Sequence, residues 1–183
     1  MAILSKPQPL RVAIRPATAA DAPLLRRWRA EESVRRHQPL ADASVADLRT
    51  DLARQRNDDL YRGAGDRYQW LVLVDGLAVG WLTLAVVSWE HGVGEIGYAL
   101  TTEMQGHGVM PAALTQLLAE LFGRTRIERI EARCAIENTA SQKVLERSGF
   151  SKEGTLRGYF ELGGRRVDNF LYAILRHDFF SGR

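Results

Sequence analysis

The stretch Gln105-Gly106-His107-Gly108-Val109-Met110, which continues into Pro111-Ala112-Ala113-Leu114, decides the fold of this chain. It is a glycine-rich loop at the start of a predicted helix, and it follows a strand-like run at residues 95–100. Glycine allows a positive φ and a close approach of the backbone to a ligand. The first turn of the helix adds unpaired N–H groups and the positive end of the helix dipole. The segment therefore predicts an anion site between a strand and a helix.

Two common phosphate-binding motifs do not fit these residues. A P-loop has Gly-Lys-Ser/Thr, and no lysine follows Gly108. A dinucleotide fingerprint has Gly or Ala where Pro111 stands. Pro111 itself suits the first turn of a helix, where its missing N–H costs little. The strand, loop and helix are retained, and the predicted anion is neither an NTP nor a dinucleotide.

A second strand and helix are predicted further along the chain. Residues 129–134 alternate charged and smaller apolar side chains, which is typical of a strand. Residues 138–150 predict a helix that Asn138 caps and Gly149 ends. A Q-G-x-G loop, a strand and an N-x-x-S helix closing in Gly-Phe together resemble the GNAT family of acetyl-CoA-dependent N-acetyltransferases.

Within that family the chain is similar to the Rim-type enzymes, RimJ and RimL, which acetylate the N-termini of ribosomal proteins. The resemblance runs from Ile14-Arg15-Pro16 to the last strand. It implies an α/β (α+β) GNAT fold, a mixed, mostly antiparallel sheet with helices on both faces that opens beside the Glu95 strand to admit CoA. The matching stretches are Glu95-Ile96-Gly97-Tyr98, the 105–110 loop, Glu137-Asn138-Thr139-Ala140-Ser141 and Glu153-Gly154-Thr155-Leu156-Arg157.

Length and composition predict a single domain, residues 1–183, in the cytoplasm. The 45% hydrophobic and 26% charged residues are ordinary for a soluble globular protein. Residues 1–7 are too short for a signal peptide, and the apolar run 81–89 is too short to span a membrane. The lone Cys134 fits a reducing compartment and is interpreted as a small buried residue rather than a nucleophile. The net charge of +3 suits a phosphate-rich cofactor and also RNA or an acidic partner.

The remaining elements follow from caps, turns and apolar patterns. A strand at 12–14 precedes a helix from Thr18, whose capping partner is Asp21, and Ser44 with Asp47 predicts a second helix. Strands 68–74 and 78–89 join at Asp75-Gly76, and a final hairpin over 150–175 turns at Gly163-Gly164. Residues 55–66 are polar with two glycines and predict a mobile loop. The resemblance implies that this segment shapes the acceptor site. A solvated helix face is preferred to a nucleic-acid contact for the cluster Arg26, Arg27, Arg29, Arg35 and Arg36.

The resemblance assigns acetyl-CoA to the glycine-rich loop. The loop seats the pyrophosphate through backbone N–H groups, and the strand ending at Leu100 holds the pantetheine as an added strand would. N–H groups around Tyr98 and Leu100 then polarise the thioester carbonyl. Met110 stands where the family usually has Gly or Ala, and is interpreted as a marker of the Rim-type branch. The predicted cofactor-binding residues are Tyr98, Leu100, Gln105, Gly106, His107, Gly108, Val109, Met110, Asn138, Ser141 and Lys143.

The Rim-type resemblance assigns Ser141 the role of acid for the departing thiolate, and it assigns Asn138 to the pantetheine arm. Many GNAT enzymes carry a tyrosine four residues beyond this serine, and here Leu145 occupies that position. Asn138 and Ser141 lie one helical turn apart, so they also form a plain N-cap arrangement, and both interpretations hold together.

Three carboxylates are candidates for the base that deprotonates the acceptor. Glu95 lies on the strand beside the thioester and completes the predicted catalytic set with Ser141 and Asn138. Glu161 and Asp168, on the last hairpin, are the alternatives. The scattered histidines lack metal-ligand spacing, so no metal is predicted.

The predicted activity is direct transfer of an acetyl group to an amine, preferably the N-terminal amine of a protein. Rival acceptors are a polyamine, an antibiotic, an amino acid or a small peptide. A CoA-sensing or RNA-contacting protein without catalysis is the rival from another class. No membrane partner is predicted, a nucleic-acid partner is not favoured, and a homodimer is left open.

Overall fold

The computed structural model describes residues 10–182, so residues 1–7, whose sequence argued against a signal peptide, lie outside its described part. It contains a central sheet and helices packed on both of its faces. The strands are β1 (Val12–Pro16), β2 (Arg67–Val74), β3 (Leu77–Ser88), β4 (Val93–Leu100), β5 (Arg129–Ala135), β6 (Ser151–Leu162) and β7 (Arg165–Leu175). The helices are α1 (Ala22–Arg29), α2 (Glu32–Arg35), α3 (Val45–Arg54), α4 (Asn57–Arg62), α5 (Val109–Arg124), α6 (Thr139–Arg147) and α7 (Arg176–Ser181).

The sheet has the order β1-β2-β3-β4-β5-β7-β6. Neighbouring strands are antiparallel except β4 and β5, which are parallel. Those two pair from Val93 with Arg129 to Ile96 with Ala132, and there their pairing ends. Strand β4 continues to Leu100 and β5 to Ala135, so the sheet opens into a cleft. The predicted mixed, mostly antiparallel GNAT sheet, opened at the Glu95 strand, is confirmed.

One face of the sheet is covered by α4, α5 and α6. Helix α5 lies at the centre of this core and buries a continuous apolar face, including Leu114, Leu117 and Leu118 at 0% exposure. Each such leucine stabilises the fold by roughly 1.5–3 kcal/mol. This core fixes the first turn of α5 against the ends of β4 and β5.

The opposite face carries a second core formed by α1, α2 and α3. Trp28 of α1 stacks on Trp81 of β3 with ring centroids 6.1 Å apart. Val34 of α2 is buried in the same cluster, together with Ala99 of β4. Because Ala99 lies near the end of β4, this core holds the segment that contains α2 over the cleft.

The predicted helix starts are present, with one refinement. Ser44 and Asp47 form the reciprocal capping pair, in which the Asp47 N–H donates to Ser44 Oγ at 3.1 Å. Thr18 opens a single 3-10 turn (Ala19–Asp21) before α1, and its N–H donates to Asp21 Oδ2 at 2.8 Å. Both hairpin turns lie where glycine predicted them, at Asp75-Gly76 and Gly163-Gly164.

The predicted mobile loop at 55–66 is wrong, because residues 57–62 form α4. Leu60 is buried against α5, and the Tyr61 hydroxyl hydrogen-bonds Glu120 on α5. One apolar anchor and one aromatic residue are enough to seat a short helix in a segment that is polar by composition. Helices α2 and α7 also have no counterpart in the sequence-based predictions.

Candidate active site

A cavity of about 460 Å³ occupies the cleft where β4 and β5 separate. Four parts of the chain surround it: the segment around α2, the end of β4, the glycine-rich loop with the start of α5, and α6. Most of the predicted cofactor-binding residues line this cavity, namely Tyr98, Leu100, Gln105, Gly106, Gly108, Val109, Met110, Asn138, Ser141 and Lys143. His107 is the exception, since its exposed ring turns back to the Gln105 carbonyl, with Nδ1 at 2.9 Å from that oxygen.

The glycine-rich loop has the geometry of an anion cradle. Gly106 and Gly108 have φ of +80° and +75°, in the left-handed region that disfavours other residues. A Cβ built on either glycine meets no other part of the described chain within 4 Å, so the space above the loop is open. Gly108 is the N-cap of α5, a helix of 16 residues whose first-turn N–H groups have no acceptor within the helix. An anion in this space therefore meets the positive end of a long helix.

Three cationic side chains also line the cavity: Arg36 near α2, and Lys143 and Arg147 on α6. Among residues 10–182, none that line the cavity carries a carboxylate. The chemistry of the lining fits a ligand with several phosphate groups.

The end of β4 presents a free main-chain edge to the cavity. The Thr101 N–H donates to the Val79 carbonyl of β3 at 2.9 Å. Strand alternation therefore turns the N–H and C=O groups of Leu100 and Tyr98 away from β3, towards the side that β5 has left. Gln38 Nε2 donates to the Tyr98 carbonyl at 2.7 Å, which shows that this edge accepts hydrogen bonds from outside the sheet.

Tyr98 and Ser141 meet across the cleft. Their hydroxyl oxygens lie 2.8 Å apart, and the Tyr98 hydroxyl also lies 3.3 Å from the Ser141 carbonyl. Burial raises the pKa of Tyr98 above its usual value, so the phenol stays protonated and is able to donate to Ser141 Oγ. Tyr98 is one of the predicted cofactor-binding residues. In the structure its side chain packs against the core and also lines the cavity.

The N-cap interpretation of Asn138 is confirmed. Its Oδ1 accepts the Ser141 N–H at 3.1 Å, so the cap uses the backbone of Ser141 and leaves its hydroxyl free for the cavity. Leu145 is fully buried and does not reach the cavity, so the hydroxyl beside Ser141 comes from strand β4 instead of from α6.

The three predicted base candidates lie outside the cavity lining. Glu95 is on the opposite face of β4 from Tyr98, and its carboxylate forms an ion pair with Arg133 of β5. Asp168 Oδ1 accepts the Gly158 N–H at 2.7 Å. Glu161 is exposed on the last hairpin.

The predicted acceptor flank at 55–66 lies elsewhere. Helix α4 contacts Glu120 and Arg124, with the Arg124 guanidinium 4.2 Å from the Tyr61 ring centroid. Glu120 is 11 residues beyond Val109, about 16 Å along α5 from the cavity at that helix's start.

The segment 33–38 borders the cavity instead, with Ser33, Val34, Arg36, His37 and Gln38 in the lining. Sequence reasoning missed them because α2 is too short to give a periodic signal.

No helix within residues 10–182 is long and apolar enough to cross a membrane. Over the same residues, no three His, Cys, Asp or Glu side chains are grouped so as to hold a metal ion.

These features, a sheet opened between two parallel strands and an anion cradle at the start of the next helix, define an N-acetyltransferase of the GNAT class. The chain belongs to the acetyltransferase (GNAT) domain family, whose sequence pattern matches residues 11–151.

Three known proteins show the range of its similarities. An uncharacterized N-acetyltransferase, p20 of Bacillus licheniformis, is 29% identical over 172 residues, covering 92% of this chain and 95% of its own. Mycobacterium smegmatis RimJ, solved in complex with CoA-disulfide, is 28% identical with a TM-score of 0.76, covering 95% of this chain and 92% of its own. Spermidine N-acetyltransferase from Vibrio cholerae, solved with CoA and spermine, shares the fold, with a TM-score of 0.78 at 19% identity over 92% of this chain and 98% of its own.

Proposed function

We propose that this enzyme transfers the acetyl group of acetyl-CoA directly to the α-amine of a protein or peptide N-terminus, in a complex that holds both substrates. The observation that carries the proposal is the joining of three features in one cavity: the free edge of β4, the cradle at α5 and the Tyr98–Ser141 pair. Each matches one part of an acetyl-CoA molecule.

The residues that would hold acetyl-CoA are spread along the cleft. The N–H groups of the Gly106–Gly108 loop and of the first turn of α5 take the pyrophosphate, with Lys143 and Arg147 supplying positive charge. The free edge at Tyr98 and Leu100 takes the pantetheine as an added strand. Gln38 leaves the Tyr98 carbonyl when the pantetheine amide replaces it.

Ser141 is the proposed proton donor to the thiolate. Its hydroxyl is free of the helix cap and borders the cavity beside the β4 edge that would hold the thioester. A neutral Tyr98 phenol at 2.8 Å is able to replace the proton that Ser141 gives up. Asn138 keeps Ser141 at this position by capping α6.

Charge favours a peptide acceptor over a polyamine. A polycation is held by converging carboxylates. No carboxylate among residues 10–182 lines this cavity, and Arg36, the lining cation that is not assigned to the pyrophosphate, is unfavourable for a polycation. An α-amine titrates near ~8 against ~10.4 for a lysine amine, so it needs less help to lose its proton at neutral pH. The 28% identity to RimJ over nearly the whole chain supports the same choice. A cytoplasmic location, suggested by the single cysteine, stays a prediction.

The test is CoA release with a panel of acceptors at equal concentration. We expect short peptides with free N-termini to react and the same peptides with blocked N-termini to be inert. Spermidine should give at least tenfold lower kcat/KM, a difference of about 1.4 kcal/mol in transition-state binding. A tenfold preference for spermidine would transfer the enzyme to the polyamine class that the Vibrio cholerae neighbour represents. If the protein binds acetyl-CoA but no amine causes release of CoA, the result would indicate a CoA-sensing protein.

A further inference from the structure

The cavity lacks an obvious group to deprotonate the acceptor. Glu95 is held by Arg133, Asp168 by the Gly158 N–H, and Glu161 is not in the lining. An N-terminal amine is mostly an ammonium at pH 7. Attack on a thioester therefore needs a proton acceptor inside the cleft.

His37 lines the cavity directly after α2. Packing of Val34 in the same core as Ala99 of β4 holds the segment that carries His37 over the cleft, and this packing does not depend on the Gln38 bond to the Tyr98 carbonyl. The side chain is half-buried. Arg36, Lys143 and Arg147, the other ionisable side chains in the lining apart from the Tyr98 phenol, are cations.

We propose that the imidazole of His37 is the base that takes the proton from the acceptor ammonium. This assignment rests on the proposed N-acetyltransferase function and adds a catalytic residue to it. It replaces Glu95, whose ion pair gives it a positioning role, because the Glu95–Arg133 pair joins β4 to β5 at the point where the strands begin to separate.

The proton balance follows from the two groups. The ammonium gives one proton to neutral His37, which passes it to solvent. The free amine attacks the thioester carbonyl, a C–N bond forms and the C–S bond breaks. The nitrogen loses its second proton to water at this stage, and the sulfur leaves as a thiol with a proton from the Ser141 hydroxyl. Ser141 regains a proton from Tyr98, and Tyr98 regains one from water. These last two exchanges with water cancel, so one proton, taken by His37 from the ammonium, leaves to solvent overall.

The charges around His37 keep it neutral. Burial, followed by the charge of Arg36, lowers the pKa of His37 below its usual 6.5, and Glu137 across the cleft opposes them weakly. Lys143 and Arg147 on α6 line the same cavity and also carry positive charge. A folded-state pKa below 6.5 leaves the imidazole unprotonated at pH 7, as a base requires.

The experiment is the pH dependence of kcat/KM for one free-N-terminus peptide, in the wild type and in His37→Gln. In the wild type, kcat/KM should rise with pH below pH 6.5 and then stay level up to the pKa of the peptide amine. His37→Gln should lose about 100-fold at pH 7. It should then rise tenfold per pH unit up to ~8, because only the free amine reacts. Acetyl-CoA affinity should stay unchanged.

His91→Gln is the matched control, since His91 is exposed in the turn before β4. It should keep the wild-type profile. A His37→Gln profile like that of the wild type, or a loss confined to acetyl-CoA binding, would remove His37 from the chemistry while leaving the N-acetyltransferase assignment intact. If the variant does not fold, the wild-type profile alone tests the proposal. A wild-type kcat/KM that rises without a plateau up to pH ~8 overturns it. No turnover of any amine by the wild type overturns the proposed function and His37 with it.

Discussion

The hydroxyl oxygens of Tyr98 and Ser141 lie 2.8 Å apart, so strand β4 and helix α6 touch across the cleft that separates the two halves of the sheet. Each residue comes from a different half, and neither hydroxyl is used by the cap of α6. The hydrogen bond therefore depends on how far the cleft is open, and it lies beside the β4 edge proposed to hold the thioester.

Ser141→Ala should lower kcat by about 100-fold or more with little change in acetyl-CoA affinity, because the hydroxyl acts only as charge develops on sulfur. Thermal stability should stay close to that of the wild type, since the cap uses the Ser141 N–H, which alanine keeps. Steady-state kinetics and calorimetric titration with acetyl-CoA measure both. Ser151→Ala, at an exposed position on β6, is the control. Unaltered turnover in Ser141→Ala would make the serine purely structural.

Tyr98→Phe should reduce kcat by about tenfold in the wild-type background and have no further effect in Ser141→Ala. The phenol acts through Ser141 Oγ, so removing the serine hydroxyl removes its influence. A double-mutant cycle on kcat measures this coupling directly. Additive losses would show that Tyr98 acts on the substrate independently.

Gly108→Val should abolish acetyl-CoA binding and leave the protein folded. The φ of +75° strains any β-branched residue by about 1–3 kcal/mol, and relief of that strain moves the N–H groups out of the cradle. A Cβ at position 108 meets no other part of the described chain within 4 Å, so the strain is confined to the loop. Gly123→Ala, in the last turn of the same helix, should bind acetyl-CoA normally. Normal binding of acetyl-CoA by Gly108→Val would show that the pyrophosphate does not bind at this loop.

Asp21 should make the fold acid-sensitive. Its carboxylate accepts two hydrogen bonds from Arg15, at 2.7 and 2.8 Å, which chiefly hold its pKa at about 2. Because the folded pKa is depressed, the stabilisation is complete above the unfolded value near 3.8 and is lost as pH falls from there towards 2. After discounting for the partly exposed Arg15, we expect Asp21→Asn to lose ~1–2 kcal/mol at pH 7 and less at pH 2.5. Equal losses at both pH values, measured by urea unfolding, would contradict the ion pair.

Cys134→Ala should retain turnover within about threefold of the wild type. Burial raises the pKa of the Cys134 thiol, so little thiolate exists at neutral pH to attack a thioester. Cys134 is 3% exposed, in keeping with its interpretation as a small core residue. An acetylated Cys134, trapped by acid quench and found by mass spectrometry, would replace direct transfer by a two-step route.

Local patterns predicted those parts of the fold that local chemistry determines. Residues 105–110 combine glycine with a helix start, and the structure has the anion cradle there. Asn138 is a strong N-cap residue, and it caps α6. The segment around His37 differs, because α2 has four residues and is held over the cleft by Val34 packing on another element. The same applies to residues 55–66, where Leu60 docks on α5. Contacts between distant segments produce no periodic pattern of apolar residues, so a single sequence does not predict them.

The parallel pairing of β4 with β5 covers four residue pairs, from Val93–Arg129 to Ile96–Ala132. A molecule bound along the rest of the cleft would bridge the two halves of the sheet and complete its hydrogen bonding. By mass action, a ligand at 100 times its Kd adds ~2.7 kcal/mol to the stability of the folded state. The lifetime of this protein in a cell would then depend on the concentration of acetyl-CoA. When acetyl-CoA is scarce, the short pairing between β4 and β5 would be more exposed to unfolding and proteolysis.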